Sequence, residues 1–416
     1  MLNARIAGIR KLLTSSSVVA AGFVLLTSLA AFGQEPIKIG ISMSVTGRFE
    51  RPAGYLFEGH KLWEKHVNQR GGIQGRPVKL VFYDDKSDPA EAIKLTRRLA
   101  TVDRVDFLFS PYGSELTAAV ASVIEELGVP AIASIVATVG PWQGKNAKWM
   151  TQFSSTAPLY LMGSVDLAIE RAEAKNIAIL YEDTPFPVGV ADGLRARAKE
   201  RGLKILMDEK YDKALTDWSP LVSKARSLGA EFLAGGGYYP AAVGIARAAA
   251  GIGYRLKLLA LVVGAADPKF VKDLGLLAEG VAGSDIWLPS VKTRGFVVEG
   301  ATIANEDFVR SYREEFKRDP EYWSAAGYGA GQLLGRAINE SLKRARKADR
   351  NLIRDFLFSY LGETIYGDYG VVKLGQADAG MQVRKQHFVI QWQKGKKEVV
   401  WPRELASAEP WIGWPK

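Results

Sequence analysis

The stretch from Ile37 to Asp88 decides the fold. It opens with Ile37-Lys38-Ile39-Gly40-Ile41, a strand-like run, and breaks at the polar loop Ser42-Met43-Ser44-Val45-Thr46-Gly47. From about Ala53 to Arg70, the residues Tyr55, Leu56, Gly59, Leu62, Trp63 and Val67 fall near a 3.6-residue period, which predicts a helix stopped by Gly71-Gly72. The turn Gln74-Gly75-Arg76-Pro77 leads into the β-rich run Val78 to Tyr83 and then into Asp84-Asp85-Lys86-Ser87-Asp88-Pro89. Two strands joined by a helix are expected to lie parallel with a right-handed crossover.

Outward from this unit the alternation continues. Helical periodicity at Glu91 to Val102 and Ser114 to Leu127 is interleaved with strand-like Val105 to Phe109 and Val129 to Ala133. That is a doubly wound α/β half. A polar, strand-like passage, Trp149 to Thr156, leads to a second series. Its helices are expected at Pro158 to Ala174, Gly189 to Arg201, Trp218 to Leu228 and Pro240 to Ala250. Its strands are expected at Ile177 to Tyr181, Leu203 to Met207, Glu231 to Ala234 and Leu256 to Val263. Beyond Gly280 come helices at Asn305 to Phe316, Tyr322 to Arg344 and Leu352 to Leu361, then a strand pair, His387 to Gln393 and Lys397 to Trp401. Helices with too few strands of their own must pack on an existing sheet. The expected lobes are therefore 36–154 with 287–370, and 155–286 with 371–416.

Composition narrows the function. The 416 residues are 47% hydrophobic and 24% charged, enough for two packed lobes. Residues 1–33 carry Arg5, Arg10 and Lys11 ahead of an apolar core, Val18 to Ala31, and the small residues of Ala31-Phe32-Gly33, the pattern of a signal peptide cleaved near Gly33. Its removal takes the formal net charge from +10 to +7. With no cysteine, a disulfide scaffold, a thiolate metal site and a Cys nucleophile are excluded. Basic residues are dispersed, with no Arg/Lys stripe for nucleic acid.

Reactive machinery is not legible. His60 and His66 lie six apart on one helix, on different faces, and are expected at the surface with no shared metal. Gly140 to Asn146 lacks the spacing and the Ser/Thr of a phosphate loop, and Pro240 interrupts the Gly235-Gly236-Gly237 run where a dinucleotide fingerprint needs a small residue. Asp84, Asp85 and Asp88 read as a turn and helix cap before Pro89. No catalytic residue, metal or cofactor is expected. What recurs is a polar or aromatic loop between a strand's carboxyl end and the next helix, where open α/β sheets collect ligands. These loops are Ser42 to Arg51, Ser110 to Ser114, Ser134 to Thr138, Thr184 to Phe186 and Gly237 to Tyr239, with Ser114 a candidate N-cap able to hold a small anion.

Gly71 to Pro77, followed by Val78 to Tyr83 and Asp84 to Pro89, resembles the signature of type I periplasmic solute-binding proteins of the Leu/Ile/Val-binding family. The likeness extends through Leu127 to Ile132, Gly236 to Pro240 and Ala278 to Val281, covering nearly the whole mature chain. The resemblance implies two lobes joined by a three-stranded hinge, no enzyme activity, and a monomer that captures an amino acid or a related small carboxylate or amide in the periplasm for a membrane permease of the ATP-binding cassette (ABC) type. A soluble sensor of amide or urea-like solutes on the same fold is the alternative. By resemblance the ligand carboxylate falls to Ser114 and to groups around Ile135 to Thr138, with Phe186, Tyr238 and Trp323 as aromatic contacts; Tyr112 joins them from the loop before Ser114. Two departures concern the ligand. Where relatives place an acid for the ligand ammonium, this chain has Val263, with Asp267 several residues late; and the first loop carries Arg48 and Arg51, which favours an acidic or amide-like solute.

Overall fold

The structure is a computed structural model that describes residues 35–415, so the expected signal peptide lies outside the described residues. The opening unit forms as expected: β1 (Ile37–Met43), α1 (Glu50–Gln69) and β2 (Val78–Asp84), with β1 and β2 parallel in the register Ile37 to Val78 through Met43 to Asp84. α2 (Pro89–Thr101) follows, capped by Asp88, whose side chain accepts from the N–H groups of Ala90 and Glu91 at 2.9 Å. With β3 (Phe107–Phe109), α3 (Gly113–Leu127), β4 (Ala131–Ala133) and β5 (Met150–Gln152) the first sheet is complete, in the order β2-β1-β3-β4-β5 and parallel throughout.

The chain then crosses to a second lobe. The helix expected at Pro158 to Ala174 divides into a 3-10 turn, Ala157–Leu159, and α4 (Met162–Glu170). β6 (Asn176–Glu182), α5 (Pro185–Glu200), β7 (Lys204–Tyr211), α6 (Ser219–Ser227), β8 (Phe232–Gly236), α7 (Tyr239–Gly251), β9 (Leu258–Leu261), α8 (Pro268–Leu274) and β10 (Ala282–Asp285) build a second, mostly parallel sheet. The chain returns through two small hairpins, β11 (Arg294–Val298) with β12 (Ala301–Ala304) and, later, β13 (Gly362–Thr364) with β14 (Gly367–Tyr369). Between the hairpins lie α9 (Asn305–Phe316), α10 (Tyr322–Ala345) and α11 (Arg350–Ser359). Residues 371–382 run beside the first sheet, where Gln152 N donates to the Gly380 carbonyl at 2.8 Å. Last come β15 (Phe388–Gln393) and β16 (Lys396–Trp401), which extend the second sheet in the order β16-β15-β10-β9-β8-β6-β7. The chain thus passes between the sheets three times, after β5, after β10 and before β15. The strand β10 and both hairpins are not expected from sequence: Ala282-Gly283-Ser284-Asp285 has little strand preference and is held as one by β9 and β15.

The late helix α10 packs along α1, and glycines set how closely. A Cβ on Gly59 would run into the Ser324 carbonyl, one on Gly327 into that of Leu56, and one on Gly331 into the Trp63 ring. Between this helix and the first sheet, α1 is enclosed on two sides, which overturns the expectation that His60 and His66 are at the surface. His60 is fully buried with its ring stacked on Phe109, centroids 4.1 Å apart, and burial pushes its pKa down to about 3. His66 Nδ1 sits 2.8 Å from the Tyr328 hydroxyl, and burial, helped by Arg70, pushes its pKa down to about 4.

At the crossings two buried lysines join the lobes. Lys397 on β16 donates to Asp285 at the end of β10 (3.1 Å) and to Glu321 ahead of α10 (2.8 Å). Lys385, just before β15, donates to the Tyr366 carbonyl at 2.9 Å and lies over the Phe153 and Tyr366 rings. Burial pushes the Lys385 amine down to about 7, against the pull of Asp368 and Glu363.

Gly327→Ala is expected to destabilise the protein by about 1–3 kcal/mol through overpacking, read as a lower urea midpoint, whereas Gly71→Ala, which meets no atom, acts only through its backbone angle. An unchanged midpoint for Gly327→Ala would refute the close helix contact. Because the folded-state pKa of Lys385 lies below the usual lysine value, the native state loses stability as pH falls from about 10 towards 7. Lys385→Met removes that penalty, so its melting temperature should exceed that of the wild type by more at pH 6 than at pH 10; an equal difference at both would count against it.

Candidate functional site

The carboxyl ends of β1, β3, β4, β6, β8 and β9 and the loops that follow them meet in the cleft between the lobes. Two adjoining cavities open there, both bordered by Tyr238 and Val263. The larger, about 380 Å³, is walled by Arg48, Phe49, Trp218, Trp323, Asp267 and others. The smaller, about 20 Å³, is lined by Tyr112, Ser114, Ile135, Ala137, Tyr160, Phe186 and Tyr322.

Each residue singled out from the sequence can now be placed. Ser114 does not cap its helix: α3 begins at Gly113 with Tyr112 as the cap residue, and Ser114 stands in the first turn. Its buried Oγ accepts from the N–H groups of Ala137 (3.2 Å) and Thr138 (3.0 Å), which leaves its own O–H as a donor at the wall of the small cavity. Ile135 lines the same cavity and its carbonyl accepts from Gly113 N at 3.0 Å. Thr138 stands behind, holding Ser114 through its N–H, while its carbonyl accepts from Gln152 at 3.4 Å. Tyr112, Phe186 and Tyr238 are brought together: the Tyr238 ring lies 5.3 Å from Phe49 and 5.9 Å from Phe186, and Phe49 lies 5.6 Å from Tyr112. Trp323 borders the larger cavity, 4.3 Å from Tyr322; its indole N–H lies beside the Tyr112 hydroxyl without a hydrogen bond of good geometry. Burial pushes the phenols of Tyr112, Tyr160, Tyr238 and Tyr322 above their usual range, and neighbouring phenols add to it for Tyr112, Tyr238 and Tyr322.

The first-loop arginines differ from expectation, because neither presents a free charge. Arg48 donates to Glu182 of the opposite lobe at 2.8 Å and spreads over the Phe49 and Tyr238 rings, each centroid 4.9 Å away. Arg51 grips Asp267 with two bonds, 2.6 and 2.7 Å. A third pair, Lys213 to Glu115 at 3.0 Å, also crosses the cleft, so charges on both lips hold the lobes together. Asp267 is further engaged as the cap of α8, accepting from Lys269 N at 2.8 Å.

Val263 stands where relatives were expected to carry an acid, and its backbone is strained. With φ +57° and ψ −64° it is the centre of a γ-turn closed by Gly264 N to the Val262 carbonyl at 2.6 Å, a conformation strongly disfavoured for a β-branched residue. Such strain collects at ligand-contacting sites. The glycine run before Tyr238 has a packing explanation: a Cβ on Gly235 would come within 2.6 Å of Leu261, and one on Gly237 would strike the Tyr211 hydroxyl. Sequence reasoning missed Phe49, Tyr160, Trp218 and Tyr322. Tyr322 could have been found as the neighbour of Trp323 at a helix start, and Phe49 lies inside the loop Ser42 to Arg51 already singled out; Tyr160 and Trp218 carry no local signal. Among the described residues no cluster of His, Asp and Glu is disposed to hold a metal.

This geometry agrees with comparisons to known proteins. Residues 36–395 match the family model described as periplasmic binding protein. The chain belongs to that family, a family of solute-binding proteins and not of enzymes. It is 26% identical to Leu/Ile/Val-binding protein homolog 7 of Brucella abortus, with 91% of this chain and 95% of the relative covered. Among solved structures it is similar to the branched-chain amino acid transporter substrate-binding protein LivJ of Streptococcus pneumoniae in complex with isoleucine (TM-score 0.74, 23% identity, 87% of this chain and 97% of that one). It is also similar to a solute-binding protein of an ABC transporter from R. palustris in complex with benzoate (TM-score 0.71, 18% identity, 87% and 94%).

If the lip charges hold the cleft shut, the double variant Arg48→Ala/Arg51→Ala should show a larger radius of gyration than the wild type in small-angle scattering at low ionic strength. The difference should shrink in 1 M salt, which screens the wild-type pairs. Equal scattering at low salt would refute the latch.

Proposed function

We propose that the protein is the substrate-binding component of an ABC-type uptake system, which captures an amino acid or a related small carboxylate or amide between its closing lobes and delivers it to a membrane permease. The observation that carries this reading is a cavity at the facing carboxyl edges of two sheets, closed over by ion pairs from opposite lobes. In this reading Ser114, with the first turn of α3, holds the carboxylate, and Tyr112, Ile135, Phe186, Tyr238 and Trp323 surround the body. Thr138 positions Ser114, and Arg48 closes the lip. The moving bodies are residues 36–154 with 287–370 against 155–286 with 371–416, the passage 371–382 riding with the first. The protein works as a monomer in the periplasm after loss of the leader that ends near Gly33.

The test is a thermal-shift screen of amino acids, amides, aromatic acids and dicarboxylates, followed by purification from the native host. At least one compound should raise the melting temperature in proportion to the logarithm of its concentration, and Tyr238→Ala should abolish the shift while the protein stays folded. Silence across the whole set would overturn the reading. Recovery with a kinase or receptor in place of a permease would assign the same site to sensing.

A further inference from the structure

The walls of the cleft carry more information about the ligand than its lining aromatics do, because every acid there is already spoken for. Glu182 accepts from Arg48 (2.8 Å) and from the Thr184 hydroxyl (2.9 Å). Asp267 accepts two bonds from Arg51 and one from Lys269 N. Glu115 faces Lys213 at 3.0 Å and Arg48 at 3.9 Å. The remaining nearby acids, Asp285 and Glu321, share Lys397; neither borders the two cavities, and Glu321 opens instead on a separate cleft. The three lip pairs set Arg48, Arg51 and Lys213 against Glu115, Glu182 and Asp267, a wall of no net charge.

What is left open has the opposite polarity. Trp218 and Trp323 wall the larger cavity with their rings; their indole nitrogens are enclosed, that of Trp218 beside the Tyr211 hydroxyl and that of Trp323 beside the Tyr112 hydroxyl. The Ser114 hydroxyl hydrogen is uncommitted among the described bonds. A ligand entering here meets aromatic faces and the Ser114 hydroxyl, and no free carboxylate. Burying an ammonium without a counter-charge costs several kcal/mol, more than one hydrogen bond returns.

Resting on the solute-binding reading, we propose that the captured solute is a carboxylate without an α-ammonium, its body an uncharged aromatic ring. The carboxylate meets Ser114 and the first turn of α3, and the ring passes Tyr238 and Val263 into the larger cavity between Phe49 and Trp323. Arg48, spread over Phe49 and Tyr238, seals the ring from water.

Matched pairs test this. After ligand removal by dialysis, isothermal titration of the mature chain compares 3-phenylpropanoate with phenylalanine and 4-methylpentanoate with leucine, with glycine betaine as a further probe. Each deaminated acid should bind more tightly than its amino acid by about tenfold or more, equivalent to 1.4 kcal/mol, and the aromatic acid more tightly than the aliphatic one. Amino acids that bind equally or more tightly, or betaine held by the aromatic cage, would overturn the inference while leaving a solute-binding protein. A panel in which nothing binds, after a silent library screen, would overturn both. Arg51→Gln frees Asp267 and should narrow the preference for 3-phenylpropanoate over phenylalanine. Since closure affects both ligands alike, an unchanged ratio would refute the role of the occupied acid.

Discussion

The contact between α1 and α10 is the constraint on which the rest depends. Gly59, Gly327 and Gly331 let the two helices approach until a side chain on any of them would strike the other helix. The contact links two segments more than 250 residues apart, so the first lobe is complete only when the chain has built the second and come back. The start of α10 carries Glu321, Tyr322 and Trp323, and the depth at which the glycines seat the helix sets where these groups lie. Glu321 reaches Lys397 at the crossings, and Trp323 and Tyr322 border the two cavities. Packing in the first lobe therefore places both the hinge charge and part of the site.

Electrostatics then acts at two places. At the lip, Arg48, Arg51 and Lys213 pair with acids across the cleft and favour closure. Such partly exposed pairs each contribute only about 0–1 kcal/mol, weak enough for the cleft to open. Within the cavities the Ser114 hydroxyl is left to donate, and the surfaces are aromatic. The strained turn at Val263 stands where the two cavities join.

What was legible in the sequence was local. The strand, loop and helix order from Ile37 to Asp88, the Asp88 cap and the helix Asn305–Phe316 all follow from periodicity, turn residues and capping chemistry within a few positions. The loops that carry Tyr112, Ser114, Phe186 and Tyr238 could be identified because an α/β sheet exposes its ligand edge at the carboxyl ends of its strands. His60 and His66 were misplaced because periodicity reports one apolar face, whereas α1 is covered on two.

The sequence by itself determined the α/β alternation, the family and the loops from which a site could be built, since each is written in neighbouring residues. Only the tertiary structure decided which charges remain available. Arg48 and Arg51 look from the sequence like an invitation to an anion, yet their partners, Glu182 and Asp267, lie 134 and 216 positions away. No pattern along the chain encodes that pairing. It arises because two lobes of non-contiguous segments close on one another, and charges distant in sequence neutralise each other at the lip.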